Sequence, residues 1–219
     1  MNQSKYNCFT AVVACCFLIV LQACKQNNNS KIESAIKDTV TTTVAVTNNP
    51  YKLVDQSPLD IIYCPDEFPQ KKMKGELVGD PIARIIYSRP HKKGRTIFSN
   101  DSLSLCPYGK PWRLGANEAT EVELFRPVLV NGKNVPAGRY VLYCIPYVDR
   151  WDIVFNSNLH SWGLDINKAK DVLKIEVPVL LSEPSVEDFT MMFLETAVGA
   201  DLMMTWDNVK VLLPFTFSK

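Results

Sequence analysis

The sequence predicts an all-β fold: an antiparallel β-sandwich of the jelly-roll-like or Greek-key type, preceded by a signal peptide and a flexible linker. The first observation is a series of short apolar runs, broken by Pro, Gly and Asn at roughly 8–12-residue intervals, which is typical of sandwiches. The second is that no long segment repeats its apolar residues at the helical period of about 3.6. The third is the alternation of side chains in residues 140–145 and 151–155, which gives each strand one face for the core.

The first 23 residues are predicted to be a signal peptide. Lys5 precedes an apolar run at residues 9–21. A helix needs about 20 apolar residues to cross the roughly 30 Å hydrocarbon core of a bilayer, so this run is too short to span it. A short basic region followed by such a run is the pattern of an export signal.

Residues 21–24, Leu-Gln-Ala-Cys, resemble a lipobox, the site read by lipoprotein signal peptidase, although Gln22 stands where a small residue is commoner. We therefore expect cleavage before Cys24 and attachment of lipid, palmitate included, to this cysteine. Two or three acyl chains, at about 0.8 kcal/mol per buried methylene, anchor a protein stably. In some Gram-negative bacteria, an acidic cluster after the lipidated cysteine favours display on the cell surface, and no such cluster follows Cys24. We therefore expect the protein to be lipid-anchored on the periplasmic face of the outer membrane.

The domain boundaries follow from a change in composition. Residues 1–23 form the signal peptide, 24–57 the lipidated cysteine and a flexible tether, and 58–219 the β-sandwich. The tether is rich in Asn, Thr, Lys and Ser and has no aromatic residue before Tyr51. Such a segment cannot bury enough apolar surface to offset the entropy lost on ordering. Its expected root-mean-square reach is about 30 Å.

Apolar runs bounded by turn residues predict the strands of the sandwich. They cover residues 83–88, 118–125, 128–130, 138–145, 151–156, 172–177, 189–195, 202–206 and 209–217. Asn131 and Gly132 are a strong turn signal after the third of these strands. The segment 59–80 shows no clear pattern, and we assign no structure to it.

The charge balance excludes one large class of function. Residues 1–23 contain one of the 24 basic residues and none of the 23 acidic ones, so the exported chain carries equal numbers of both. Nucleic-acid-binding proteins usually have a basic excess, because phosphate contacts require Lys or Arg. We therefore expect no nucleic-acid partner.

Motif searches predict neither a cofactor nor a metal. The sequence contains no phosphate-binding loop, no serine-hydrolase elbow and no zinc-protease helix motif. The methionine pairs 191–192 and 203–204 are soft metal ligands in principle. Adjacent residues of a strand point to opposite faces, however, so these pairs favour core filling over metal binding.

Several short motifs of the folded part are not generic. They are Tyr87-Ser-Arg-Pro90, Lys93-Gly-Arg95, Pro107-Tyr-Gly-Lys110, Trp112-Arg113, Gly115-Ala-Asn-Glu-Ala-Thr120, Pro136-Ala-Gly138, Trp162-Gly163 and Pro214-Phe215. Together, from about Tyr87 to Phe217, the chain resembles the bacterial family known as domain of unknown function 2911. The resemblance implies a secreted β-sandwich, often found in lipoproteins, with no established activity. Cys106 and Cys144 depart from the family's pattern.

Candidate binding residues concentrate in these motifs. They are Arg89, Lys93, Arg95, Tyr108, Trp112, Arg113, Asn117 and Glu118. One interpretation is a polar pocket with an aromatic wall that binds a small molecule, a glycan or an envelope protein, because guanidinium groups suit carboxylates and phosphates while aromatic rings suit sugars. The other is a buried structural network in which Arg89 or Arg113 pairs with Glu118 and fixes the turns between strands.

A hydrolase of cell-envelope or glycan material is the alternative function. Glu118 is the catalytic candidate, as a general acid or base. Glycoside hydrolysis also requires a second carboxylate, for which the candidates are Asp149, Asp152 and Asp165. The available neutral-pH bases are His91 and His160. Since none of the hydrolase motifs is present, the sequence favours binding over catalysis.

Three cysteines lie in the folded part: Cys64, Cys106 and Cys144. Outside the cytoplasm, a thiol that is not buried oxidises. One hypothesis is therefore a single disulfide, with Cys106–Cys144 favoured over Cys64–Cys144. The other, which we favour, is three buried thiols that pack as small apolar side chains.

Two roles are expected for the tryptophans of the folded part. Trp151, Trp162 and Trp206 are expected to be core or sheet-edge anchors, because large aromatic side chains dominate core packing. Trp162 stands next to Gly163 in a turn-like sequence. Stacking against a sugar ring is therefore a second hypothesis for Trp162.

Overall fold

The computed structural model describes residues 57–217. The predicted signal peptide, Cys24 and nearly all of the predicted tether lie outside the described residues. Contacts group Val54–Lys219 into one compact unit, and its hydrophobic core is built from residues between Cys64 and Phe215. This unit therefore contains a complete core of its own. Among the residues described, no helix is long and apolar enough to cross a membrane.

The regular secondary structure of the described part is almost entirely β-strand. The strands are β1 (Leu59–Cys64), β2 (Ala83–Ser88), β3 (Phe98–Ser99), β4 (Cys106–Pro107), β5 (Thr120–Leu124), β6 (Val128–Val130), β7 (Lys133–Val135), β8 (Gly138–Pro146), β9 (Arg150–Asn156), β10 (Asp171–Pro178), β11 (Leu180–Thr196) and β12 (Gly199–Thr216). One short α-helix, α1 (Phe68–Met73), follows β1, and a 3₁₀ turn, Lys168–Lys170, precedes β10.

The strands form two main antiparallel sheets. The first has six strands in the order β1-β2-β5-β8-β9-β10, and the second has four in the order β11-β12-β6-β7. β3 and β4 form a small parallel pair beside them. Inward-facing residues of both sheets, such as Val122 of β5 and Leu213 of β12, belong to one hydrophobic core. The all-β, antiparallel fold predicted from the sequence is confirmed.

An aromatic cluster fills one part of this core. The rings of Trp112 and Trp206 are stacked with centroids 5.5 Å apart, and Trp112 also meets Phe189 at 4.8 Å and Trp151 at 5.9 Å. Trp151 and Trp206 have no exposed surface. Their predicted role as core anchors is confirmed.

β12 differs from the prediction. The sequence predicted two strands, 202–206 and 209–217, whereas the structure has one strand from Gly199 to Thr216. Asp207, at the predicted break, has the left-handed φ of 53°. The strand bends so far that its ends meet, with the Phe217 amide donating to the Val198 carbonyl at 3.2 Å. The bend explains why the sequence pattern is interrupted although the strand continues.

The segment 59–80, to which we assigned no structure, contains β1 and α1. All six residues of β1 pair in continuous antiparallel register with β2, from Leu59 opposite Ser88 to Cys64 opposite Ala83. Phe68 at the start of α1 is buried, and its ring packs 6.3 Å from that of Tyr63. This segment therefore completes the edge of the six-stranded sheet.

Candidate functional site

A cleft of about 500 Å³ lies where β1 begins, β2 ends and β5 begins. The loop between β9 and β10 supplies its opposite wall. The lining residues are Leu59, Ile86, Tyr87, Ser88, Glu118, Ala119, Glu121, Arg139, His160, Ser161 and Trp162. This volume lies within the range of small-molecule sites in proteins, roughly 300–1,000 Å³.

Trp162 is the most conspicuous side chain of the cleft, because 56% of its surface is exposed. Its ring lies against Arg113, whose guanidinium carbon is 5.8 Å from the ring centre. Arg113 Nη1 also donates a hydrogen bond to the Trp162 carbonyl at 3.2 Å. Partial burial lowers the pKa of Arg113, but an arginine remains protonated at neutral pH. A cation–π contact and a hydrogen bond thus hold this exposed indole in place.

Gly163 fixes the loop that carries Trp162. Its φ is +80°, a conformation that residues with a Cβ rarely adopt. A Cβ at this position would lie 2.9 Å from Arg113 Cβ and 3.0 Å from Ala119 Cβ. The Trp162 loop therefore packs directly on the segment between β4 and β5, and only glycine permits that approach.

Several residues of the segment 114–120 are explained by the backbone geometry of the segment. Leu114 and Asn117 both have left-handed φ, 56° and 59°. A Cβ on Gly115 would lie 2.9 Å from the Ser88 carbonyl, and the Thr120 hydroxyl donates to the Leu114 carbonyl at 2.7 Å. These constraints hold the backbone on either side of Glu118, whose exposed side chain lines the cleft.

The charged groups of the cleft come from neighbouring strands. Arg139 of β8 forms an ion pair with Glu121 of β5. The His160 amide donates to Glu121 Oε1 at 3.3 Å, while the His160 side chain is 73% exposed. Glu118 adds a second carboxylate to the same lining. The cleft thus combines an aromatic face, one guanidinium, one imidazole and two carboxylates.

One known protein family matches most of this chain. The profile of the family described as "Protein of unknown function (DUF2911)" matches residues 69–215, which is more than half of the chain. The chain belongs to the DUF2911 family. The match begins in α1 and ends in β12, so the DUF2911 segment includes every residue of the cleft except Leu59. No curated protein and no solved structure matches the chain.

The DUF2911 fold brings some of the predicted binding residues together and separates others. Glu118 lines the cleft, Arg113 supports its tryptophan, and Asn117 lies in the segment beside them. The predicted pairing of Glu118 with Arg89 or Arg113 is not formed: Arg89 Nε lies 3.4 Å from Asp60 Oδ2, and Arg113 contacts Trp162. The cleft is therefore not built around an arginine–glutamate pair.

The loop after β2 in the DUF2911 domain is held by the backbone of Lys93 and by the side chain of Arg95. The Lys93 amide donates to Glu187 Oε1 at 2.7 Å, which ties this loop to β11. Arg95 Nε donates to the Lys92 carbonyl at 3.0 Å, and Arg95 also donates to the carbonyl of His91. These contacts position the loop, and neither Lys93 nor Arg95 lines the cleft.

The aromatic side of the cleft is not formed by the two residues predicted for it, Tyr108 and Trp112. Trp112 is only 9% exposed and belongs to the core cluster, with its Nε1 donating to the Gly115 carbonyl at 3.3 Å. Tyr108 follows β4, where its amide donates to the Ser99 carbonyl at 2.9 Å. The cleft instead takes its aromatic face from Trp162, for which sugar stacking was the second hypothesis.

Sequence reasoning missed Glu121 and Arg139. Both lie on the outer face of the six-stranded sheet, where β5 alternates between buried and half-buried residues. The proposed second carboxylates lie outside the cleft: Asp152 is buried beside Lys174 Nζ at 2.9 Å, while Asp149 and Asp165 are exposed elsewhere. The alternating Glu-Val-Glu of β5 was the available signal, since it places Glu121 on the solvent side.

The three cysteines of the DUF2911 domain are free thiols, and all are buried. Neither hypothesised disulfide, Cys106–Cys144 or Cys64–Cys144, is formed, and the three thiols pack in the core as small apolar side chains. Burial raises the pKa of Cys64 to about 12 and raises those of Cys106 and Cys144 as well. The thiols therefore stay protonated and unreactive at neutral pH in the folded domain. Within residues 57–217, no group of three or more His, Cys, Asp or Glu side chains is placed to hold a metal ion.

Proposed function

We propose that the protein is a lipid-anchored envelope protein whose DUF2911 domain binds a glycan in the Trp162 cleft. The observation that carries the proposal is an indole that is more than half exposed and yet held by Arg113. An exposed aromatic face of fixed orientation loses little entropy when a ligand stacks on it. Aromatic rings present such a face to sugar rings.

The polar groups of the cleft suit a hydroxyl-rich ligand. Glu118 and Glu121 offer carboxylate oxygens that accept hydrogen bonds from sugar hydroxyls. Arg139 adds N–H donors next to them. Because Arg139 and Glu121 neutralise each other, a neutral glycan matches this lining better than a strongly charged ligand.

The proposal is tested by thermal unfolding of residues 25–219 with peptidoglycan fragments and with neutral tri- and tetrasaccharides. A ligand at 100 times its Kd should stabilise the fold by about 2.7 kcal/mol, which raises the Tm measurably. Trp162→Ala should weaken binding about fivefold, since an aromatic stacking contact contributes on the order of 1 kcal/mol. Lys110→Gln, on an exposed turn, is the control and should bind as the unchanged chain does.

The result also bears on the hydrolase alternative. One observation supports the hydrolase alternative. Glu118 and Glu121 line the same cleft, as the two carboxylates of a glycosidase must. If sugars are released in the same incubations and release stops in Glu118→Gln, catalysis replaces binding as the function. If no saccharide binds and none is cleaved, the glycan proposal is wrong, and a protein partner becomes the ligand to seek.

The anchor is tested separately in cells. Cys24 supplies the thiol to which lipid is attached in the proposal. Cells grown with labelled palmitate should incorporate the label into the unchanged protein and recover it in the outer-membrane fraction. Cys24→Ser should carry no label and leave the membrane fraction, because its anchor is lost. Equal labelling of both proteins would contradict lipidation at this residue.

A further inference from the structure

A second cavity, of about 480 Å³, lies at the other end of β1. β1 begins with Leu59 in the Trp162 cleft and ends with Cys64 in this second cavity, which we call the distal groove. Five steps along a strand, at about 3.4 Å each, separate the two by roughly 17 Å. The distal groove is therefore a separate site, and a ligand bound there is independent of the proposed glycan binding.

The distal groove is lined mainly by apolar side chains. Its floor consists of buried residues, among them Phe68, Ile82 and Ala200. Its walls include Val78, which is 88% exposed, and Phe125, which is 36% exposed. Large apolar side chains that remain exposed around a concave surface mark a place where an apolar ligand is bound.

The rim of the distal groove carries charged side chains of both signs. Arg126 lies over the Phe217 ring, with its guanidinium carbon 5.7 Å from the ring centre. Asp80 and Glu195 lie on the same lining. Within the described range 57–217, none of these three side chains forms an ion pair. The rim thus offers one site for an anion and two carboxylates for a cation.

We propose that the distal groove binds the acyl chain of a zwitterionic amphiphile, such as a phospholipid with a phosphate and an ammonium in its headgroup. The alkyl chain lies among the apolar side chains between Phe68 and Phe125. The phosphate pairs with Arg126, and the ammonium lies between Glu195 and Asp80. This headgroup fits both charges of the rim. A purely anionic headgroup would be repelled by the two carboxylates, and a purely cationic one would be repelled by the guanidinium.

The test is calorimetric titration of residues 25–219, which contain the complete core, with octyl- and decylphosphocholine below their micelle-forming concentrations. The two additional methylenes should tighten binding roughly tenfold if the chain is buried. Decyl sulfate, decyltrimethylammonium and decyl maltoside carry the same ten-carbon chain as decylphosphocholine, with an anionic, a cationic and a neutral headgroup. Each of these should bind several-fold more weakly than decylphosphocholine.

Two variants locate the site, and two others serve as controls. Arg126→Gln and Glu195→Gln remove opposite charges from exposed positions, so both should fold, and each should weaken decylphosphocholine binding about fivefold. Lys110→Gln removes a charge remote from the groove and should have no effect. Trp162→Ala should also leave this affinity unchanged, which separates the result from that of the glycan proposal.

Two results would overturn the inference. If none of the alkyl compounds binds, the distal groove is not an amphiphile site. If decyl maltoside binds as tightly as decylphosphocholine and neither charge variant matters, the groove is only an apolar surface without headgroup recognition, and the zwitterionic assignment is wrong.

Discussion

Replacing Trp206 by alanine should destabilise the domain by about 3–5 kcal/mol, the cost typical of removing a fully buried aromatic side chain. Trp206 has no exposed surface, and its ring packs on Trp112 at 5.5 Å, on Phe189 at 6.0 Å and on Phe98 at 6.4 Å. Its Nε1 donates a hydrogen bond to the Glu187 carbonyl at 3.0 Å. Because these contacts come from several strands and loops, the cavity left behind cannot close by a single local shift.

Urea unfolding of residues 25–219, followed by circular dichroism, measures the effect. In a domain of this size, 3–5 kcal/mol corresponds to a fall in Tm of roughly 6–20 °C. Trp206→Phe keeps most of the ring contacts but loses the donor, so its cost should be smaller. Trp162→Ala is the matched surface control and should change the stability by less than about 1 kcal/mol. Comparable losses for Trp206→Ala and Trp162→Ala would show that the aromatic cluster is not the centre of the fold.

Strand positions were readable where the local pattern and the tertiary environment agree. The predicted strand 83–88 matches β2 from end to end, and the predicted strand 151–156 differs from β9 by one residue. Both contain β-branched and aromatic residues bounded by residues that break strands. In such segments, the side chains that face the core are also those that favour extended backbone.

β1 was not predicted, because its local sequence pattern does not reflect its tertiary environment. Leu59–Cys64 is apolar on both faces, with Leu59 and Ile61 exposed and Cys64 buried. As an edge strand, β1 gains its backbone hydrogen bonds from β2 alone. Pairing with a strand about 25 residues later along the chain leaves no trace in a local pattern.

Trp112 and Trp162 show what the sequence cannot assign. Trp112 was expected in a binding wall and lies in the core, whereas Trp162 was expected mainly as an anchor and is exposed in the cleft. Local sequence gives both residues the same options, since each lies in a short motif between two predicted strands. Which indole is buried depends on the packing of distant elements, here Phe98, Phe189 and Trp206 around Trp112.

The candidate site was partly readable because its motif block is dense. Arg113 and Glu118 were selected from that block, and both belong to the cleft or its support. Glu121 and Arg139 were missed because a charged residue on the solvent face of a strand is ordinary. Their importance arises only when antiparallel pairing of β5 with β8 brings them together beside the loop that carries His160.

The two cavities lie at opposite ends of β1 and differ in polarity. The Trp162 cleft is polar with one aromatic face, and the distal groove is apolar with a charged rim. β2 and β5 contribute to both, through Ile86 and Glu121 at one end and through their flanking residues Ile82 and Phe125 at the other. The two proposed ligands, a glycan and a lipid chain, match this difference in polarity.

Replacing Gly199 by alanine should cost about 3 kcal/mol, at the upper end of what overpacking usually costs. A Cβ on Gly199 would lie 2.0 Å from the carbonyl oxygen of Phe215. This neighbour is backbone, so it cannot rotate away as the end of a side chain would. Relief requires the two ends of β12 to separate, which also strains the hydrogen bond from the Phe217 amide to the Val198 carbonyl.

Gly75→Ala is the matched control. Gly75 has a φ of +75° but nothing within 4 Å of a Cβ, so its replacement should cost only the backbone strain, about 1–2 kcal/mol. Chemical unfolding of both variants therefore separates the close contact in β12 from the general effect of losing a glycine. If Gly199→Ala is no less stable than Gly75→Ala, the ends of β12 do not meet as closely as the structure shows. The bend at Asp207 would then be looser, and the wall that Gly199 and Ala200 give to the distal groove would be more open.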